Sequence, residues 1–135
     1  MRPVRIKKDV LNQMIQHAQQ EAPLECCGLL LGEHGLISNL HRMNNHLRSA
    51  VRFEIAPRDL FEFFRGLRTI GQSHLGIYHS HPASDAYPSA TDVQEAFYSD
   101  CSFFIVSLKT PVSPQVRAFH IENNIVNELE ISEIE

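Results

Sequence analysis

Two histidines one residue apart, His79 and His81, close a short apolar run, and a Pro-Ser-x-x-Asp segment opens a helical pattern soon after. Alternate residues on a strand face the same way, so both imidazoles can be presented to one point just past the strand end. Ten residues separate His81 from Asp92. If Ser89 caps the following helix, Asp92 lies in its first turn and can face back toward the histidines. A strand end, a loop and a helix start are thereby tied to one place in space.

The rest of the chain reads as elements around that place. A helix is expected from about Asp9 to Glu21, with Asp9 as N-cap and Val10, Leu11, Met14, Ile15 and Ala18 as its apolar stripe. Leu24 to Leu31 reads as a buried strand, and Gly35 to Leu40 as its hairpin partner across the GEHG turn. A third strand is expected over Val51 to Ile55. Pro57 opens a second helix, with Leu60, Phe61, Phe63, Phe64, Leu67 and Ile70 on its buried side and Gly71 at its end. Leu75 to Tyr78 forms the strand running into the histidines, and a third helix runs from Ser89 to about Ser99. Ser102 to Leu108, Gln115 to Ile121 and Ile125 to Ile131 close the chain as strands. Helices alternate with strands early and strands cluster late, so the expected class is α/β (α+β) with a mixed sheet.

At 135 residues the chain is read as one domain, residues 1–135. Roughly two-thirds of the unfolded surface can be buried at this length, enough for a core without disulfides. Apolar residues at 43% and charged residues at 21% exclude a disordered or collagen-like chain. No apolar run approaches the ~18 residues of a membrane span, and the basic N-terminus lacks a following apolar stretch. Cys26, Cys27 and Cys101 are an odd set that suits a reducing compartment. The expected location is cytoplasmic. A net charge of −4 without a basic cluster argues against nucleic-acid binding.

Two imidazoles and one carboxylate make a three-ligand zinc site with a fourth position left for water, the arrangement of a catalytic rather than a structural metal. A lone H-x-H is more often a surface or capping pair, and Ser-x-x-Asp by itself resembles a capping box. Convergence changes that balance: Glu25 adds a carboxylate inside the apolar LECCGLLL run. On position alone Glu25 reads as the solvent-exposed start of a strand. Near a metal-bound water it would be the proton acceptor such chemistry requires. Other H-x-H sites fit less well. Ala83 and Ser84 stand where a metallo-β-lactamase needs Asp-His, the helix after Ser89 does not suit a cupin, an amidohydrolase barrel needs about twice this length, and no P-C-x-x-C exists for a zinc deaminase.

Glu25, His79-Ser80-His81-Pro82, Ser89 and Asp92 together resemble the signature of the JAMM (MPN+, Mov34/JAB1-type) metalloproteases in identity and spacing. PLECCGLLLG, Asn45 followed by Phe53-Glu54-Ile55-Ala56-Pro57, and LGIYHSHP resemble the family's short prokaryotic branch. The resemblance implies a JAMM/cytidine-deaminase-like fold, a curved mixed sheet flanked by helices. It implies that His79, His81 and Asp92 bind one Zn2+ per chain, with water fourth. Glu25 would take the proton from that water and deliver it to the leaving amine, and Ser89 would hydrogen-bond the oxyanion. The implied substrate is a peptide or isopeptide bond after the C-terminal tail of a ubiquitin-fold protein, a sulfur carrier or a ubiquitin-like modifier. A zinc amidase acting on small conjugates and a non-catalytic MPN scaffold are the competing readings.

Other residues read as ordinary structure. Cys26 and Cys27, adjacent on a strand, point to opposite faces and read as core thiols, as does Cys101. His17, His34, His41, His46, His74 and His120 read as surface or satisfied groups. Phe61, Phe63 and Phe64 read as helix core, Asp85 and Tyr87 as solvated loop, and the acidic tail as a solvated edge.

Overall fold

The computed structural model describes residues 2–135. Among these, eight strands form one mixed sheet: β1 (Val4–Lys7), β2 (Cys27–Glu33), β3 (Leu36–Met43), β4 (Ser73–His81), β5 (Ser102–Ser107), β6 (Gln115–Glu122), β7 (Ile125–Leu129) and β8 (Ile131–Ile134). Three helices accompany them, α1 (Lys8–Glu21), α2 (Pro57–Ile70) and α3 (Ala90–Gln94). The sheet order is β7-β6-β5-β4-β2-β3-β1-β8. Strands β7 and β8 are separated by Glu130 alone, yet they lie at opposite ends of that order. The sheet must therefore curl until its edges approach, and the Val4 amide donates to the Glu130 carbonyl at 2.8 Å across the junction.

Local chemistry explains the tight connections. His34 and Gly35 both take positive φ, 54° and 75°, which makes a two-residue hairpin turn between β2 and β3 within the expected GEHG segment. Asn123 and Asn124, with φ 52° and 63°, turn β6 into β7 in the same way. Gly28 answers a different need. A Cβ there would sit 2.2 Å from the Tyr78 ring, so the aromatic can lie against β2 only because the residue has no side chain.

Alternation along the central strands divides the core into two layers. Ile6, Val10, Met14, Leu30, Tyr78, Phe104 and Val106 pack on one face under α1. Cys27, Leu29, Ile77, Phe103, Ile105 and Phe119 pack on the other, partly covered by residues of α2, α3 and the segment between β3 and α2. Because Ile77 belongs to the second layer and Tyr78 to the first, His79 and His81 emerge on the second face. Cys26 and Cys27 go one to each layer, as adjacent strand residues must.

Several expectations need correction. Val51 to Ile55 joins no strand; the Arg52 carbonyl and the Glu54 amide are engaged by a neighbouring side chain instead of a ladder. The third helix stops at Gln94 rather than near Ser99. Strand β1 has no local signal, because its partners β3 and β8 are distant in sequence. Helix α1 begins at Lys8, and Asp9 lies in its first turn, where it accepts a bond from Gln13 at 2.7 Å instead of capping. Of the two readings for His17, surface or satisfied, the structure shows the second: it is buried, with Nδ1 2.7 Å from the Tyr78 hydroxyl. Burial first, with the nearby Arg42 charge, pulls its pKa down to about 4 against the pull of Glu21, so the ring is neutral. No helix among the described residues is long and apolar enough to cross a membrane.

Candidate metal centre

Strand register brings the acidic and imidazole groups together. Cys27 pairs with His79 in the antiparallel β2/β4 ladder. Two residues earlier on one strand and two later on the other, Glu25 is carried opposite His81. Beyond β4 the chain passes through a Pro/Ser/Asp loop to α3. The Ser89 hydroxyl accepts the Asp92 amide at 3.1 Å, and Asp92 Oδ2 accepts the Ser89 amide at 2.9 Å, a reciprocal capping box. That box aims the Asp92 carboxylate back at β4.

The result is a tight cluster. His79 Nε2 and His81 Nε2 lie 3.1 Å apart, and Asp92 Oδ2 lies 3.1 Å from the first and 3.0 Å from the second. Both histidines are buried and Asp92 nearly so. His81 Nδ1 donates to the Asp85 carbonyl at 2.7 Å, which fixes its tautomer and leaves Nε2 as a lone pair when the ring is neutral. Lone pairs crowded this closely repel unless protons or a cation sit among them. Among the described residues, this is the one group of at least three metal-capable side chains that converges.

The donor set suits a small divalent ion. Zinc bonds to imidazole nitrogen and carboxylate oxygen run about 2.0–2.2 Å, which in tetrahedral geometry spaces donors about 3.3–3.5 Å apart. The observed 3.0–3.1 Å needs only a slight opening. Electrostatics agree with a cation-binding role. Burial would raise the Asp92 carboxyl, but its bonds to His79 and His81 outweigh that and hold it well below the ordinary range. For His81 burial acts downward, and the Asp92 and Asp85 bonds overcome it to raise the pKa.

Glu25 is 4% exposed, so it is not the solvated strand start that position alone suggested. Its Oε1 has no hydrogen-bond partner. Burial pushes its pKa up to about 7, with the His81 charge opposing and Asp92 adding to the rise. A buried carboxylate with an unclaimed oxygen is expensive, and such a group beside a metal cluster is poised for proton transfer.

The surroundings show how neighbouring residues support the cluster. Ser80 faces the opposite side of β4 from the histidines, accepts the Cys26 amide at 2.8 Å and returns its own amide to the Cys26 carbonyl at 3.1 Å. The signal for it is a small polar residue set between the two histidines at the strand end. Phe53 stacks on His79 with centroids 4.5 Å apart. Ser107 and Leu108 hold the loop between the ligands, donating to the Ser84 carbonyl at 2.6 Å and the His81 carbonyl at 3.1 Å. Asp85 is exposed and pairs with Lys109 at 3.1 Å, while its carbonyl does the work on His81. Tyr87 is half-exposed, edge-on to Phe119. Cys26, Cys27 and Cys101 are free and buried, and burial pushes their thiols up to about 11, 12 and 12. They are inert core groups.

Known proteins share this arrangement of chain. The family described as prokaryotic homologs of the JAB domain matches residues 7–122. This chain belongs to that family. The CysO-cysteine peptidase of Mycobacterium tuberculosis is 31% identical over 132 residues, covering 96% of this chain and 90% of that one. The desampylase of Haloferax volcanii is 30% identical over 106 residues, 73% of this chain and 76% of its own. A JAB1/MPN domain protein from Archaeoglobus fulgidus superposes with a TM-score of 0.66 over 97% of this chain and 99% of that one; at 21% identity this likeness concerns the fold alone. The curled mixed sheet is thus the JAB fold that the motif implied.

Proposed function

We propose that this JAB-family chain is a zinc-dependent peptidase that hydrolyses the peptide or isopeptide bond following the C-terminal tail of a ubiquitin-fold sulfur carrier or ubiquitin-like protein. The observation that carries the reading is the meeting of His79 Nε2, His81 Nε2 and Asp92 Oδ2 at 3.0–3.1 Å on the face that also receives the buried, unpartnered Glu25. Two imidazoles and one carboxylate are a zinc-type set, and three protein ligands are the number that leaves a tetrahedral position open. When bound there, zinc supplies Lewis acidity, polarising a carbonyl and making hydroxide available near neutral pH.

The chain's own groups do the rest. Glu25 Oε1, unclaimed by any protein donor, accepts the proton of the attacking water and returns it to the leaving nitrogen. The Ser89 hydroxyl oxygen already accepts the Asp92 amide, so its own hydrogen is directed elsewhere and can donate to the oxyanion of the tetrahedral intermediate. His81 keeps its aim through the Asp85 carbonyl. Arg52 and Phe53 border the same cavity as His79 and Asp92. The names of the relatives, a peptidase for a CysO-cysteine adduct and a desampylase, support a protein-tail substrate. The three buried free thiols suit the reducing cytoplasm.

The test uses zinc-loaded full-length protein and a ubiquitin-fold carrier bearing a single cysteine on its C-terminal glycine. Release of cysteine is expected from the wild type. Glu25→Gln should keep its zinc and fold while losing about 10²- to 10⁴-fold in rate. Efficient cleavage of small acyl-amino acids with the carrier adduct left intact would replace the proposed substrate class. No cleavage of either would overturn the hydrolase.

A further inference from the structure

Glu25 has an unclaimed side chain but a firmly held backbone. Its amide donates to the Ser49 carbonyl at 2.8 Å, and its carbonyl accepts Asn45 Nδ2 at 3.1 Å. Asn45 does far more than this one contact. The same Nδ2 donates to the Arg52 carbonyl at 3.0 Å, with a longer approach to the Ser49 carbonyl at 3.5 Å. Asn45 Oδ1 accepts the amides of Leu47 at 3.1 Å and Glu54 at 3.2 Å. A backbone bond from His46 to the Glu54 carbonyl, 2.8 Å, closes the frame. The whole segment between β3 and α2 is folded around one half-buried side-chain amide.

The chemistry explains why an amide stands there. Only Asn and Gln offer two N–H donors and a carbonyl acceptor on one side-chain end, and the site uses both kinds. A carboxylate of the same shape would face the Glu25 and Arg52 carbonyls with no hydrogen to give. The residues secured this way are also the ones flanking the metal cluster. Glu25 is the candidate base, and Phe53, between the pinned Arg52 and Glu54, stacks its ring on His79. A glutamate whose Oε1 touches no protein donor is placed by its backbone and its packing alone. A misplacement of about 1 Å at such a group can cost about 10²-fold in rate.

We infer that Asn45 is a positioning residue for proton transfer, holding the Glu25 backbone and the Phe53 ring in one frame and acting through Glu25. The inference rests on the reading of Glu25 as the proton acceptor. It assigns Asn45 no contact with substrate or metal.

The experiment measures kcat, KM and zinc content of the full chain on the carrier–cysteine adduct for four variants: Asn45→Ala, Asn45→Asp, Glu25→Gln, and Asn45→Ala with Glu25→Gln. Asn45→Asp keeps the size and the acceptor while removing the donors, so it retains the bonds from Leu47 and Glu54. Either Asn45 substitution alone should lower kcat about 10²-fold with KM and zinc content unchanged. In the Glu25→Gln background Asn45→Ala should change the residual rate less than twofold, because no base remains to be placed. An equal loss in both backgrounds, a loss of zinc, failure of both single variants to fold, or an unchanged kcat would each overturn the positioning role. Wild-type turnover in Glu25→Gln would instead overturn the reading of Glu25 itself.

Discussion

Helices α1 and α2 are each 14 residues long and each carries an apolar stripe, yet they serve the two faces of the sheet differently. On α1, Val10, Leu11, Met14, His17 and Ala18 are buried. On α2 no residue is fully buried; Leu60, Phe63, Phe64 and Leu67 are half-covered, while Phe61 is 64% and Ile70 56% exposed. Cavities of about 560 and 380 Å³ border α2, lined in part by Phe63 and Leu67 and by Leu60 and Phe53. The α1 face is the more completely packed layer, with a cavity of about 310 Å³ only at its margin beside Leu11, Ile15 and Val116. The α2 face carries the His79, His81 and Asp92 ligand group, which neither of these two cavities reaches. Amphipathic spacing shows that a helix wants a partner, but not how completely it will find one. Elements that border functional sites are drawn from the less tightly packed part of a fold.

That contrast can be broken most forcefully by matched substitutions on the two helices. Met14→Ala on α1 should cost about 2–5 kcal/mol in denaturant unfolding, with turnover intact at temperatures where the variant stays folded. Phe61→Ser on α2 should move stability by no more than about 0.5 kcal/mol. Equal losses from the two would mean that α2 is docked as firmly as α1.

A smaller effect separates the faces by pH. The Glu25 carboxyl, raised to about 7 by burial, favours the folded state below its ordinary carboxylate pKa and loses that advantage as pH climbs through about 7. Gln cannot ionise. In metal-free protein Glu25→Gln should therefore melt higher than the wild type above pH 7, with the difference closing toward pH 4. A difference that is constant across this range would show that the carboxyl is not strained by burial.

Much of the site was legible because its signals are local. The His79/His81 alternation, the Ser89 cap and the position of Asp92 depend on strand and helix geometry within fourteen residues, and the structure brings all three donors together. The boundaries of α2 were legible too, since Pro57 at its start and Gly71 in the left-handed conformation at its end are backbone requirements. What was hidden depends on distant parts of the chain. Glu25 looked exposed because its burial comes from the β2/β4 register, and β1 from pairing with β3 and β8. Val51 to Ile55 has strand composition, but the Asn45 amide takes its backbone groups and no ladder forms. His17 has no local mark that separates it from a surface histidine; only the Tyr78 hydroxyl across the core does so.

The most direct test of the account is a zinc titration of metal-free protein, followed by calorimetry. One zinc per chain should bind the wild type and Glu25→Gln alike, and Asp92→Ala should lose that stoichiometric binding while keeping the sheet. Zinc bound as tightly by Asp92→Ala as by the wild type would contradict a centre built from His79, His81 and Asp92.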